Sequence, residues 1–284
     1  MKEIIVYRKT WERENRNQLA PDLEGINESV LLRDGDTGKV VAIQFLLDDE
    51  SKEVRRELFR HLKFDKVFKE KKRNPKAKAE STMRLSGMAY QSEVFGYTAP
   101  VKIRRRYGAS AARFTYERPE MTKLLDRMTV VAWEKFQELL PEQAKSHEEL
   151  VEGLILRDWW IAGAPFTSGI INNTAALPYH RDSRNVQKSW SMMLCLRKDM
   201  DGGGLHLPEY DITFGIPDGS MTYFDGQSTW HGVTPLLRKR KGAIRFTMVW
   251  YSKIDLQGAG SKEEEIAEAK RLATDNEAGE ARRR

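Results

Sequence analysis

The chain has 284 residues, 40% hydrophobic and 32% charged, with a formal net charge of +6 and a sequence pI near 9.2. No apolar run approaches the roughly 20 residues of a membrane-spanning helix. The N-terminus turns polar within a few residues, so we predict neither a membrane span nor a signal peptide. The single cysteine, Cys195, excludes an internal disulfide and favours a reducing intracellular compartment: cytoplasm, nucleus, or a bacterial or phage-host cytoplasm.

The N-terminal part, about residues 1–165, is predicted to mix strands and helices. Residues 3–8 are predicted to form a strand, and SVLLRD and KVVAIQFLL, around GDTG, a hairpin. Helical periodicity predicts helices over KEVRRELFRHLKF and over ERPEMTKLLDRMTVVAWEKFQELL, the second starting near Pro119. A further helix is predicted over SHEELVEGLILRDWW, with Ser146 and Glu149 as its capping box.

The middle part, about residues 166–255, changes to short strands between Gly, Pro and Asp turns. The predicted strands are SGIINNT, SWSMMLCLR, DITFGI, SMTYFD and GAIRFTMVWY. Such spacing is typical of a barrel or jelly roll. A helical tail follows over residues 256–284, opening with a capping box of Ser261 and Glu264. We predict one α+β domain over residues 1–284, with a double-stranded β-helix (jelly-roll) core and helices packed on one side.

Positive charge is clustered rather than spread along the chain. Lys63–Lys78 holds eight Lys or Arg against two acids, and Lys102–Arg106 and Arg238–Lys241 are also basic. Such clusters favour a polyanionic partner whose binding depends on salt. Taken alone, they are equally typical of a solvated surface or a disordered loop.

Two histidines and an aspartate form the most informative pattern in the chain. His180 and Asp182 are two residues apart in YHRDSRN, so on an extended strand both side chains leave the same face. His231 follows 49 residues after Asp182, in STWHGVTPL. Two imidazoles and one carboxylate on one side of a metal form the facial triad of non-haem Fe(II) oxygenases, which leaves positions open for a co-substrate and O2. The pattern predicts an Fe(II) site.

An arginine on a predicted strand completes this pattern, because AIRFTMVWY places Arg245 and Thr247 on one strand face. A guanidinium beside a hydroxyl suits a carboxylate such as that of 2-oxoglutarate. Each motif alone has a commoner explanation: H-x-D pairs occur in solvated loops, and single histidines or strand arginines serve many cores. Their order along the chain favours a 2-oxoglutarate-dependent oxygenase.

Several motifs also carry a resemblance to one enzyme family. YHRDSRN has the arrangement H-x-D-x-x-N, and HGVTPL with IRFTMVWYSK has a distal His, Thr-Pro-Leu, an Arg and a Tyr six residues beyond it. LHLPEY and the upstream RLSGMAYQSEVFGY add weaker likeness. Over about residues 168–253 the chain resembles the Fe(II)/2-oxoglutarate dioxygenases. Within them it is most similar to the branch of the ten-eleven-translocation (TET) methylcytosine dioxygenases and the base-J thymine hydroxylases.

The resemblance implies a role for each matching residue. It implies Fe(II) ligation by His180, Asp182 and His231. It implies binding of 2-oxoglutarate by Arg245, Thr247 and His206. For His206, a surface turn histidine is the alternative explanation.

The substrate side of the resemblance rests on three residues. Asn185 and Tyr251 match positions that hold the target base, by hydrogen bond and by stacking respectively. Tyr251 is an even number of residues from Arg245 and so shares its strand face; a core aromatic is the alternative. At Arg184 the animal methylcytosine enzymes carry His, and their cysteine-rich zinc region has no counterpart here. Base preference and the nucleic-acid contact surface therefore stay open.

The implied function is oxidation of the 5-methyl group of 5-methylcytosine or thymine in nucleic acid, with Fe(II), 2-oxoglutarate and O2, to the 5-hydroxymethyl product. DNA is the expected partner, with single-stranded DNA or RNA as options, and a monomer is favoured. One alternative is the same chemistry on a protein side chain or small molecule. Another is a non-catalytic nucleic-acid-binding barrel.

Overall fold

A computed structural model describes residues 1–70, 91–99 and 108–281 and shows an α+β fold, as predicted. The strands are β1 Lys2–Val6, β2 Val30–Asp34, β3 Val40–Leu46, β4 Gln91–Thr98, β5 Ser110–Ala111, β6 Ser168–Asn173, β7 Ser191–Lys198, β8 Met200–Gly202, β9 Leu205–Leu207, β10 Ile212–Phe214, β11 Ser220–Phe224, β12 Gly232–Val233, β13 Leu236–Arg238 and β14 Ile244–Tyr251. The helices are α1 Lys52–Phe64, α2 Val67–Glu70, α3 Arg113–Glu117, α4 Pro119–Leu139, α5 Pro141–Glu152 and α6 Lys262–Ala281.

A nine-stranded sheet forms the centre of the fold, in the order β1-β2-β3-β11-β7-β14-β6-β4-β5. A three-stranded sheet, β10-β9-β12, and the pair β13-β8 complete the β structure of the described residues. All strand pairs are antiparallel except β1 and β2, which run parallel. The central strand β14 lies between β7 and β6, so its ladder is paired on both sides.

The two faces of the large sheet have different surroundings. Strand alternation sends Phe246, Met248 and Trp250 into an apolar core shared with α1 and α4. The opposite face of β14 carries Arg245 and Thr247 into a cavity. The helices therefore cover one side of the sheet and leave the other for chemistry.

Most predicted elements are present, and the bounds of one helix were wrong. The predicted hairpin forms between β2 and β3, and Ser261 and Glu264 cap α6 reciprocally at 3.2 and 2.7 Å. The helix predicted over SHEELVEGLILRDWW starts instead at Pro141 and ends at Glu152, with Ser146 inside it. Proline suits this first turn, because its φ is fixed and its missing N–H has no helical partner there.

Some of the predictions concern residues outside the described ranges. They are the basic segment Lys102–Arg106, the second half of Lys63–Lys78, and the first half of RLSGMAYQSEVFGY, whose second half forms β4. In the described parts of the chain, no helix combines the length and apolarity needed to cross a membrane.

Candidate metal centre and cofactor pocket

A cavity of about 540 Å³ opens on the face of the large sheet that the helices leave free. Its walls come from β4, β6, β7, β14, β11, the short strands β9 and β12, and the segment that follows His180. The volume lies within the range of small-molecule sites. The three predicted metal ligands and Arg245 all line it.

The structure brings His180, Asp182 and His231 together. One ligand atom from each lies within 4.8 Å of the others. Asp182 Oδ1 lies 3.6 Å from His180 Nε2 and 3.8 Å from His231 Nε2. His231 is buried, whereas the other two are half-buried and border the open side. These three donors meet at one point, as a facial triad requires.

Backbone carbonyls orient both imidazoles. His180 Nδ1 lies 2.8 Å from the carbonyl oxygen of Pro178, and His231 Nδ1 lies 3.0 Å from that of Thr229. A carbonyl only accepts, so each Nδ1 carries the proton and each Nε2 keeps its lone pair. Burial, and then the neighbouring His180, lower the pKa of His231 to about 4, although Asp182 opposes this shift. His231 is therefore neutral at pH 7, the form that binds metal.

The metal ligands lie in loops joined by single contacts, and His180 and Asp182 belong to no extended strand of the described residues. His180 and His231 form an isolated bridge with hydrogen bonds of 2.9 and 3.0 Å. Asp182 lies in the turn beyond, where its N–H donates to the Gly226 carbonyl at 2.9 Å. A side chain at Gly226 would place its Cβ 2.4 Å from Asp182 Oδ2, so only glycine leaves the carboxylate room. The turn places the Asp182 carboxylate close to both histidines.

Arg245 lies in the cavity wall as a buried cation. It is only 1% exposed, burial lowers its pKa, and its Nε has no hydrogen-bond partner in the part of the chain that the structure describes. Among the described residues, no carboxylate forms an ion pair with it. An unpaired buried charge is costly, which fits a ligand carboxylate as the missing partner.

The surroundings of Arg245 make space for its side chain. Gly203, at φ +70°, lies so close that a Cβ there would approach Arg245 Nε to 3.2 Å and Leu236 Cδ2 to 2.4 Å. Gly203, in the GGG run of the sequence, thus leaves room for the arginine side chain. Thr247 follows on the same face, 4% exposed, and lines the cavity with it.

Asn185 and Tyr251, the predicted base contacts, both line the cavity. The Asn185 amide donates to Asp182 Oδ2 at 3.3 Å and to Ser191 Oγ at 3.1 Å, so it also supports a metal ligand. Burial raises the pKa of Tyr251 to about 12, which keeps its phenol neutral. Arg184 lies at the rim, 70% exposed, and forms a two-bond ion pair with Asp255 at 2.7 and 2.8 Å.

His206 lies away from the cavity-lining set. Its neighbour Leu205 lines the cavity, and alternation along β9 turns His206 to the other side. There its Nδ1 lies 3.3 Å from the Tyr179 hydroxyl, while its buried Nε2 has no hydrogen-bond partner within residues 1–70, 91–99 and 108–281. Burial lowers the pKa of His206 to about 4.

The sequence reasoning missed Gly226, which supports the site, and Asn172, which lines the cavity. Gly226 makes room for Asp182, and Asn172 on β6 lies opposite Thr247 and lines the cavity while 5% exposed. Alternation in SGIINNT could have placed Asn172 on one face, but it does not say which face is the site. Gly226 has no local sequence signal, because its role depends on a residue 44 positions earlier.

Comparison with known proteins bears on the fold. No protein-family model and no curated protein matches the chain. Among solved structures, NgTET1 in complex with 5mC DNA matches over 95% of this chain and 90% of its own, with a TM-score of 0.63 and 11% identity. A Pseudomonas putida prolyl-4-hydroxylase matches over 75% and 92%, with a TM-score of 0.39 and 16% identity. That second likeness is too weak to bear on function.

The chain therefore has the double-stranded β-helix fold seen in NgTET1, with the H-x-D and distal His triad in place. The predicted resemblance to the TET branch is confirmed at the level of fold. The donor set fits Fe(II), because two neutral imidazoles and one carboxylate occupy one side of a point that opens to the cavity. Arg245, buried without a protein carboxylate, fits the acid group of 2-oxoglutarate.

Proposed function

We propose that this protein is an Fe(II)- and 2-oxoglutarate-dependent dioxygenase that oxidises the 5-methyl group of a pyrimidine in nucleic acid. One observation carries the proposal: a three-donor metal site and a buried, unpaired arginine face the same cavity. When bound, Fe(II) with 2-oxoglutarate and O2 supplies hydroxylation of a C–H bond, with release of succinate and CO2.

The chain's own residues provide positioning and electrostatics. His180, Asp182 and His231 would hold the metal. The Arg245 guanidinium and the Thr247 hydroxyl would bind the far carboxylate of 2-oxoglutarate, since a planar fork matches a carboxylate with two hydrogen bonds. His206 would affect 2-oxoglutarate binding only indirectly, because it lies behind β9 rather than in the cavity wall.

Asn185 and Tyr251 would hold the base at the other side of the metal. Tyr251 presents a neutral ring for stacking, and Asn185 combines support of Asp182 with a polar edge in the cavity. A base in a duplex must leave its stack to enter, at a cost of a few kcal/mol, so single-stranded substrate is easier. The fold shared with NgTET1, which is solved with 5mC DNA, supports a nucleic-acid substrate.

Coupled turnover tests the proposal. The protein, supplied with Fe(II) and 2-oxoglutarate, is given oligonucleotides that differ only in one pyrimidine 5-methyl group, and succinate is measured. We expect the methylated oligonucleotide to stimulate succinate formation. If the amount of succinate is the same with the methylated oligonucleotide, with the unmethylated one and without any oligonucleotide, a methylpyrimidine substrate is contradicted. That result would favour a protein or small-molecule substrate. Absence of iron binding would favour a non-catalytic barrel.

A further inference from the structure

An aromatic and cationic cluster lies beside the metal ligands, and the proposed function assigns it no role. We call Trp11, Arg13, Arg181 and Trp230 the Trp230 platform. Arg181 stands between two ligands in the chain and lines the cavity, and Trp230 directly precedes the third ligand. The platform therefore borders the metal ligands and, through Arg181, the cavity.

Two guanidinium groups pack on one indole in this platform. The guanidinium carbon of Arg13 lies 5.1 Å from the centroid of the Trp230 ring, and that of Arg181 lies 5.0 Å from it. Trp11 packs edge-on to Trp230 at 5.7 Å and to Tyr179 at 4.6 Å. A guanidinium that lies over a ring keeps its N–H edge available to other acceptors, and that edge fits phosphate oxygens.

The platform is held in place by a single buried carboxylate. Glu209, whose side chain is 6% exposed, accepts from Arg181 at 3.0 Å, from Arg8 at 2.7 Å and from the Trp230 backbone N–H at 2.8 Å. Its second oxygen thus fixes the segment before His231, while its first fixes Arg181. The N-terminal segment is tied to both metal-ligand loops.

Charge at the platform is unbalanced. Arg8, Arg13 and Arg181 carry three positive charges, and Glu209 is the one carboxylate that pairs with them among the described residues. Arg13 donates instead to the Tyr179 carbonyl at 3.2 Å. The remaining acids of the segment, at positions 12 and 14, are exposed and form no ion pair with these arginines in the described parts of the chain.

We propose that the Trp230 platform binds the sugar-phosphate backbone of the nucleic-acid strand next to the base held in the cavity. Arg13 and Arg181 donate to phosphate oxygens, and the Trp11 and Trp230 rings provide an apolar surface for an unstacked neighbouring base. The inference rests on the proposed nucleic-acid substrate. It assigns binding to a segment that lies about 170 residues before the metal-ligand motif in the chain, as the positions of Trp11 and His180 show.

Fluorescence anisotropy of a short, labelled single-stranded DNA with one 5-methylcytosine tests this, using the full chain over a salt series. Arg13→Gln is expected to weaken binding about tenfold. It should also reduce the slope of log K against log salt by about 0.7, the value for one phosphate contact on a single strand. Arg13→Lys should restore the slope, because it restores the charge.

Arg13→Glu is expected to bind more weakly still, and its matched control is Arg127→Glu. Arg127 is exposed on α4, on the helix-covered side of the sheet, so the control changes net charge equally and should stay within about twofold of wild type. Circular dichroism of Arg13→Gln and Arg127→Glu checks that both variants are folded before their DNA binding is compared.

The outcomes separate the platform from the proposed reaction. If Arg13→Gln and Arg13→Glu bind with wild-type affinity and slope, the platform proposal is overturned even when the methyl group is oxidised. If Arg13 variants lose DNA binding but no methyl oxidation occurs, the platform stands and the proposed reaction fails. Competition by polyglutamate as strong as by unlabelled DNA would overturn the choice of nucleic acid and favour an acidic protein. If the wild-type protein does not bind the labelled DNA, the platform proposal is also overturned.

Discussion

The cavity has two walls that position their side chains by different means. β14 is paired on both edges, and its ladder alone sends Arg245, Thr247 and Tyr251 to one face. The metal loops have no ladder: His180 and His231 share one bridge, and Asp182 depends on a turn. The strand wall is set by backbone pairing, whereas the loop wall is set by individual side-chain and carbonyl contacts.

This difference predicts how each wall responds to substitution. A change on β14 should remove only the group that is changed, because the ladder keeps its neighbours in place. A change in the loops should also disturb the metal, because ligands and their supports touch directly. Substitutions in the two walls test this contrast.

The largest effect is expected from the metal ligands. His180→Ala, Asp182→Ala and His231→Ala should each reduce Fe(II)-dependent succinate formation to background, since a three-donor site has no spare protein ligand. Iron binding by calorimetry and turnover should fall together, while circular dichroism stays native. Normal turnover in any one variant would remove that residue from the triad.

Arg245→Lys should raise the 2-oxoglutarate concentration needed for half-maximal succinate formation by about 10- to 150-fold. This corresponds to loss of one charge-assisted hydrogen bond, of about 1.5–3 kcal/mol, because an ammonium cannot reproduce the planar fork. Iron affinity should not change. The control is Arg113→Lys, on α3, where Arg113 is exposed and ion-paired with Glu117. An equal effect of both substitutions would contradict the assignment.

Asn185→Ala and Tyr251→Ala compare the two walls directly. Asn185 supports Asp182, so its loss should weaken iron binding about 10- to 100-fold, as removal of a partner of a metal ligand does. Tyr251→Ala should leave iron binding intact and weaken use of the methylated oligonucleotide about 5- to 150-fold through lost stacking. Tyr251→Phe keeps the ring and should retain most activity. Identical iron affinities in the Asn185 and Tyr251 alanine variants would remove the contrast.

The smallest effect concerns the support of the strand wall. His147 on α5 is buried, lies 3.0 Å from the Pro165 carbonyl and accepts from the Trp190 N–H at 3.0 Å, so it braces the segments before β6 and β7. Burial lowers the pKa of His147 to about 4. The unfolded chain, with a His pKa near 6.5, binds the proton more readily.

Stability should therefore be fullest above pH 6.5 and fall as the pH drops toward 4, by on the order of 3 kcal/mol from this residue. Urea unfolding at several pH values measures this dependence. His147→Gln should flatten it, although other groups also titrate in that range. An equal slope in the variant would show that His147 does not cause the loss.

The contrast between the two walls also explains which parts of the site could be predicted from the sequence. Strand alternation was enough to put Arg245, Thr247 and Tyr251 in one cavity, because a ladder converts even spacing into a shared face. The spacing of His180 and Asp182 gives a shared face only on an extended strand, whereas in the structure a turn and the Gly226 carbonyl position Asp182. The ligands still converge.

Contacts between distant segments could not be predicted from local patterns. The docking of Trp11 and Arg13 on Trp230 joins residues more than 200 positions apart, and LHLPEY gave no sign that His206 faces away from the cavity. The start of α5 was missed for a smaller reason, because a proline at the first turn outweighed a capping-box pattern one turn later.

The most direct test of the central claim is mass spectrometry of nucleosides released from methylated DNA and RNA after incubation with the protein, Fe(II), 2-oxoglutarate and isotopically labelled O2. We expect the wild-type protein to form a 5-hydroxymethylpyrimidine nucleoside that carries one labelled oxygen atom. The Asp182→Ala variant should not form this nucleoside. Succinate formed by the wild-type protein without any oxidised nucleoside in either nucleic acid would contradict it.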